Sequence, residues 1–270
     1  MTGTTPQGAR GEAEAAGWVR AMFGRIAPRY DFANHLLSFE MDRLWRARTV
    51  RRVRPVLERP EARVLDICCG TADLVLALER GRPRGGAAVL GSDFCHPMLV
   101  GAAAKVAERQ AHARLFEADA MRLPLADSSL DLLTVAFGFR NLANYEAGLR
   151  EMRRVLRPGG LAAILEFSQP PNAAFAALYH FYSRRMLPWI GGLVTGSRDA
   201  YTYLPESVRK FPSAEELAEA MRRVGFGEVR FERWTGGIVA LHVGSKGQAG
   251  RPTPRPSVEQ LPIRPDPYRC

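Results

Sequence analysis

Apolar residues along this chain fall into short blocks separated by longer stretches of helical period, and that alternation predicts the elements. Arg63-Val-Leu-Asp-Ile-Cys-Cys-Gly-Thr-Ala-Asp73 starts as an apolar run of Val64, Leu65 and Ile67. It turns at Gly70, which tolerates conformations closed to residues with a Cβ, and continues as a helix through Leu74, Val75, Leu76 and Leu78, with Thr71 or Asp73 as its cap. The pattern repeats. A second strand over 87–93 precedes a helix opening at His96-Pro97, and a third begins at Leu115. The run 132–137 is apolar on both faces, as a fully buried strand requires. A helix from Asn144 to Leu156 should stop at Arg157-Pro-Gly-Gly160, ahead of a strand over 161–167. Ser213 caps a last helix ending near Gly225, and 226–234 with 237–244 read as a closing antiparallel pair. Strands alternating with helices predict an α/β, doubly wound, mostly parallel sheet, whose ligand crevice lies at the carboxyl ends of the strands.

Outside that alternation lie three further segments. Residues 18–59 precede the first strand and gather Tyr30-Asp31 and Asn34-His35 beside Phe32 and Leu36, which reads as a helical lid over a ligand, with a plain packed layer as the alternative. Residues 170–212 form an aromatic-rich insertion before the last helix, either a packed accessory subdomain or the wall of an apolar pocket. Residues 1–17 are expected to be a flexible N-terminus, 18–245 one domain, and 246–270, with six prolines from Lys246 onward, a disordered tail.

Composition adds bounds. At 270 residues and 46% hydrophobic, the chain can bury one large core. No run of about 18 apolar residues occurs and the first residues are polar, so we expect neither a membrane span nor a signal peptide, and a cytoplasmic protein. Four cysteines, two adjacent at Cys68-Cys69, offer no metal spacing and no disulfide framework, so no metal is expected. The net charge of +10 is concentrated: seven arginines (Arg43, Arg46, Arg48, Arg51, Arg52, Arg54, Arg59) stand among apolar residues in a basic amphipathic helix up to Pro55. Peripheral contact with an anionic membrane at its inner face is one reading and a solvated helix face the other. No nucleic-acid partner is expected, and a homo-oligomer is left open.

The turn at 66–73 narrows the ligand. It holds one glycine and no lysine, so neither a dinucleotide fingerprint nor a phosphate loop is present. Asp66 and Asp73 favour a ligand with an ammonium or sulfonium, and S-adenosyl-L-methionine carries both. Asp93 stands where an acidic residue accepts from ribose hydroxyls, though it also suits a helix cap. Asp119, with the backbone of Ala120, is placed to accept from an adenine amine. Gly138-Phe-Arg-Asn141 ends the fourth strand, and Arg140 there is either a fixed cation at the crevice or, with Asn141, an ordinary residue of a strand-to-helix loop. A nicotinamide-dependent oxidoreductase or a non-catalytic scaffold would share the fold, but the missing glycines oppose the first and the intact Thr71, Asp93 and Asp119 the second.

Asp66-x-x-x-Gly-Thr71, Asp93, Asp119-Ala120 and Leu156-Arg-Pro-Gly-Gly160 resemble the class I S-adenosylmethionine methyltransferases. Met22-Phe-x-x-Ile-Ala-x-x-Tyr-Asp31, Asn34-x-Leu-Leu-Ser-Phe39, Phe137-Gly-Phe-Arg-Asn141, Leu165-Glu-Phe-Ser168 and Tyr203-Leu-Pro-Glu-Ser207 resemble the quinone-biosynthesis C-methyltransferases. These methylate demethylmenaquinol or a polyprenyl benzoquinol. The resemblance implies a seven-stranded Rossmann-like sheet and S-adenosyl-L-methionine against Asp66, Gly70, Thr71, Asp93, Asp119 and Ala120. It further implies Arg140 and Asn141 as catalytic residues and Tyr30, Asn34 and Tyr203 against a polyprenyl quinol. Two departures stand out: Ala72 replaces a glycine, tolerable at negative φ, and Ala136 replaces a serine of some members, removing a hydrogen bond to the cofactor.

Overall fold

The computed structural model describes residues 3–4, 6, 8–31, 35, 38–181 and 198–247. Seven strands, β1 (Val64–Ile67), β2 (Leu90–Asp93), β3 (Arg114–Glu117), β4 (Leu130–Ala136), β5 (Leu156–Phe167), β6 (Phe226–Trp234) and β7 (Val239–Lys246), form one sheet in the order β3-β2-β1-β4-β5-β7-β6. The first five are parallel, and β7 runs antiparallel to both β5 and β6.

Alternate strand residues feed two cores, because successive Cβ atoms point to opposite faces. Leu65, Ile67, Leu133, Val135 and Ile164 pack with Leu149 and Met152 of helix α5 (Tyr145–Val155) and Leu217 and Met221 of α8 (Ala214–Arg223). Val64, Leu132, Ala163 and Leu165 pack on the other face. There they meet α2 (Met41–Leu57) through Trp45 and Val53, α3 (Asp73–Arg80) through Leu74 and Leu78, and α4 (His96–Glu108) through Leu99. Each such leucine stabilises by about 1.5–3 kcal/mol when fully buried. The helices α1 (Glu12–Ile26), α6 (Ala173–Phe181) and α7 (Arg198–Lys210) complete the chain order before α8.

Most expected elements form, with informative shifts. Asn144 and Ser213 cap α5 and α8, accepting from Ala147 N at 2.9 Å and Glu216 N at 3.3 Å. Arg157-Pro-Gly-Gly160 is not a loop: β5 begins at Leu156, which pairs with Leu130, and Gly160 lies so close that an added Cβ would sit 3.0 Å from the Leu130 carbonyl. The basic helix runs past Pro55 to Leu57, because Val56 and Leu57 are buried and the exposed proline removes an amide only in the last turn. The stretch expected to be flexible is helical from Glu12, and Thr4 is buried. Asn34, residues 182–197 of the insertion and the tail from 248 lie outside the described residues. No helix among the described residues is long and apolar enough to cross a membrane.

Candidate active site

The carboxyl ends of β3, β2, β1 and β4 stand side by side and open into one cleft of about 680 Å³, counted with the solvent at its mouth. Along that row come Asp119 and Ala120 after β3, Asp93 ending β2, Cys68 and Gly70 after β1, and Phe137 and Asn141 after β4; Tyr30 also faces in. Among the described residues the lining includes two carboxylates and no lysine, arginine or histidine. Such a cleft fits a cationic adenosine ligand and offers nothing to a pyrophosphate.

The two central loops are pressed together under strain. An added Cβ on Gly138 would fall 2.4 Å from the Cys68 Cβ, so only glycine lets the β1 and β4 loops meet. Cys68 (φ 49°), Ala72 (φ 70°) and Phe137 (φ 60°) are all left-handed, a conformation that disfavours a side chain by roughly 1–2 kcal/mol per residue. The negative φ at which Ala72 would be tolerable is therefore not met, and glycine would relieve strain there. Strain of this kind collects where a loop must present its backbone in one conformation.

Asp93 is built into that geometry. Its Oδ2 accepts from Gly70 N and its Oδ1 from Cys95 N, both at 2.9 Å. Burial raises its pKa, and the backbone donors at Cys95 and Gly70 oppose the shift. A carboxylate has about four acceptor sites, so the backbone donors at Cys95, Gly70 and Phe94 leave it room for a further donor. Asp119 is exposed, with Oδ1 accepting from Met121 N at 2.9 Å.

Two residues expected at the cofactor do not line the cleft. Asp66 is 1% exposed and accepts from the Thr134 hydroxyl at 2.6 Å. Thr71 donates its hydroxyl to Asp31 and caps nothing; the residue preceding α3 is Ala72, which carries no capping oxygen. Thr71 belongs to a charged latch. Lys105 of α4 reaches Asp31 at 2.6 Å and Asp73 at 2.7 Å, while His35 and Arg46 bond Asp42 in front of them. His35, Asp42 and Asp73 bring three ligand atoms within 4.8 Å, but Arg46 and Lys105 already neutralise those carboxylates, so the cluster is an ion-pair network. It ties the segment before β1 to the turn after it.

Arg140 also departs from expectation. Its guanidinium does not line the cleft and is not a bare cation: Nη1 donates to Glu166 Oε1 at 2.9 Å and to the Phe137 carbonyl, and Nε to Ser207 Oγ at 3.3 Å. Its backbone N–H donates to Glu166 Oε2 at 3.0 Å. Burial disfavours the charge, and Glu166 with the phenols of Tyr203 and Tyr30 outweighs this, so the guanidinium stays charged. Asn141, by contrast, lines the cleft. Tyr203 does not; its hydroxyl donates to Asn141 Oδ1 at 3.0 Å from behind.

Residues 10–246 match the model of the ubiE/COQ5 methyltransferase family. The chain belongs to this family. It is 48% identical over 225 residues to a demethylmenaquinone methyltransferase of Thermus thermophilus, covering 83% of this chain and all (100%) of that one. It is 43% identical over 232 residues to the ubiquinone/menaquinone biosynthesis C-methyltransferase UbiE of Syntrophotalea carbinolica, with 86% and 95% covered. Among solved structures, a SAM-dependent methyltransferase of Thermotoga maritima superposes with TM-score 0.59 at 19% identity, over 84% of this chain and 98% of that one; this likeness speaks for the fold alone.

For a member of the ubiE/COQ5 family, the motif Phe-Gly-Phe-Arg-Asn thus divides its work: Phe137, Gly138 and Asn141 face the cleft and Arg140 faces the interior. Several contributors escaped the sequence reading. Glu166 sits in Leu-Glu-Phe-Ser168, which pointed to the family but to no partner. Phe94 and Met98 line the cleft from just after β2, and only their nearness to Asp93 could have flagged them. Lys105 and Thr4 carry no local signal.

Proposed function

We propose that this chain transfers a methyl group from S-adenosyl-L-methionine to a ring carbon of demethylmenaquinol. The observation that carries the reading is the row of Asp119, Asp93, Gly70 and Asn141 across four neighbouring strand ends. Carboxylates stand at one end, suited to adenosine, and an amide at the other, suited to a quinol oxygen. The cofactor supplies an activated methyl group, so this chain's task is alignment and a nucleophilic carbon. Asp93 and Asp119 hold the adenosine, and Asn141 bonds the quinol oxygen. A phenol-like pKa near ~10 must fall about three units for the quinol to ionise at neutral pH, roughly 4 kcal/mol. Arg140 holds the loop that carries Asn141 and is no base, because guanidinium keeps its proton.

The test is single-turnover incubation with methyl-labelled cofactor and either demethylmenaquinol or a demethylated polyprenyl benzoquinol. Label should enter a ring carbon of the naphthoquinol. Transfer to the benzoquinol alone would move the chain to the ubiquinone reading carried by the name of the Syntrophotalea relative, and transfer to neither would end the proposal.

We also propose peripheral contact with an anionic membrane, supported by a different set of residues than the charge alone. Arg43, Arg52, Arg54 and Arg59 pair with Glu40, Glu232, Glu58 and Asp131 at 2.7–2.8 Å, which blunts the helix's charge. Phe39, 75% exposed, and Leu44, 41% exposed, stand at its start beside Arg43. In vesicle sedimentation, Phe39→Ser with Leu44→Ser should weaken binding more than raising the salt does. Binding that salt abolishes and the double variant leaves intact would assign the contact to the arginines.

A further inference from the structure

Asn141 presents an amide to the cleft, and an amide has two unlike ends. Turned one way it offers an acceptor oxygen, turned the other way two N–H donors. A quinol oxygen gathering negative charge is stabilised by the donor end and repelled by the acceptor end. The side chain alone does not choose between them, since the two ends have nearly the same shape. Something behind it must choose.

Behind it stands Tyr203 of α7, 7% exposed, with its ring 5.0 Å from that of Trp18. Its hydroxyl lies between two groups, the Asn141 Oδ1 at 3.0 Å and the Thr4 Oγ1 at 2.6 Å. Thr4 is itself held, because its backbone N–H donates to the Leu142 carbonyl at 2.8 Å, one residue beyond Asn141. Residue 3 is pressed onto the same loop: a Cβ on Gly3 would fall 1.9 Å from the Ala143 carbonyl oxygen. With the phenol's proton on Asn141 Oδ1, a lone pair is left to accept from Thr4, and the amide nitrogen is the end that Tyr203 does not engage.

We infer that Tyr203, oriented by Thr4, is the positioning residue that fixes the direction of the Asn141 amide, so that the cleft meets the substrate oxygen with an N–H donor. Tyr203 does not touch the substrate. Burial pushes its phenol above the ordinary tyrosine range, so it keeps the proton it donates and is no base. The chain Thr4, Tyr203, Asn141 joins residues far apart in sequence into one line of hydrogen bonds. The inference rests on the methyltransferase reading, because it assigns the direction of a group that reading places on the quinol.

Tyr203→Phe tests it, since it keeps the ring on Trp18 and deletes only the hydroxyl. With demethylmenaquinol, kcat should fall by about tenfold to a hundredfold, the range of one hydrogen bond to a developing charge. Affinity for S-adenosylhomocysteine should stay at the wild-type value, and the melting temperature should fall only by the few degrees that a lost buried hydrogen bond costs. The pH at which the rate rises should move upward, because the quinol then ionises with less help. Thr4→Val should give a smaller change in the same direction. In an Asn141→Ala background Tyr203→Phe should change nothing further, because no amide is left to orient. A kcat within about twofold of wild type, a shared loss of cofactor affinity, or an equal loss in the Asn141→Ala background would each overturn the inference. Wild-type chain that binds cofactor yet methylates no quinol would instead overturn the function it rests on.

Discussion

Replacing Arg140 with alanine is expected to lower stability by about 3–5 kcal/mol, the loss seen when one partner of a buried ion pair is removed. Glu166 is 1% exposed, and its carboxylate would then lie inside the sheet without its cation. Arg140 also links three elements: the turn Phe139–Asn141, β5 through Glu166, and α7 through Ser207. Denaturant melts should show a lower midpoint at unchanged slope. Arg140→Met combined with Glu166→Leu should recover much of the loss, because no orphan charge remains. An alanine variant that melts like wild type but turns over slowly would return Arg140 to the role of a cation acting on the quinol.

A second large effect should come from Asp66→Asn. Burial pushes the Asp66 pKa up from 3.8 to about 7, against the opposing hydrogen bond from Thr134. Between those values the folded chain keeps a proton that the unfolded chain has released, so the stability from this group is full below 3.8 and is lost as pH rises through about 7. A shift of about three units corresponds to roughly 4 kcal/mol. Asparagine keeps an oxygen for Thr134 and carries no charge. The variant should match wild type in acid and be the more stable chain above neutrality. Urea melts of both chains at about pH 3.5 and about pH 8 measure it as a difference. The difference matters, because buried His242, lowered to about 4 by burial, pulls the other way as pH falls. Parallel profiles for the two chains would mean that Asp66 ionises without penalty in the fold.

What the sequence made legible is what is local. Apolar runs without period, such as 132–137, can only be strands buried on both faces, and Asn144 and Ser213 announce their helices by chemistry that acts within three residues. The glycine turn and the carboxylates ending successive strands located the cleft. Pairings across the sheet were not legible. Arg140 and Glu166 are 26 residues apart and Thr71 and Asp31 are 40 apart, and no periodicity relates either pair. The same blindness put Thr71 on the cofactor and Arg140 on the substrate, since each had the right chemistry at the right strand end and a hidden partner turned it away. Ala72 shows a further gap: backbone φ at a turn is decided by the close approach of two loops, which the composition of either one does not reveal.

The contact between Thr4 and Tyr203 spans 199 residues, whereas Gly70 and Asp93, on the cofactor side, are 23 apart. Closing a longer loop costs more chain entropy, growing slowly with its length, and local opening is easiest where few contacts hold a segment. The two ends of the cleft therefore rest on contacts of very different sequence separation. The expected result is that the half bearing Asp93 forms first and that the half aiming Asn141 is the one to open within the native state. Amide exchange would resolve them as a slow and a fast population, and turnover would be limited by the fast one's fraction closed, a quantity that can drift with temperature while the melting point stands still.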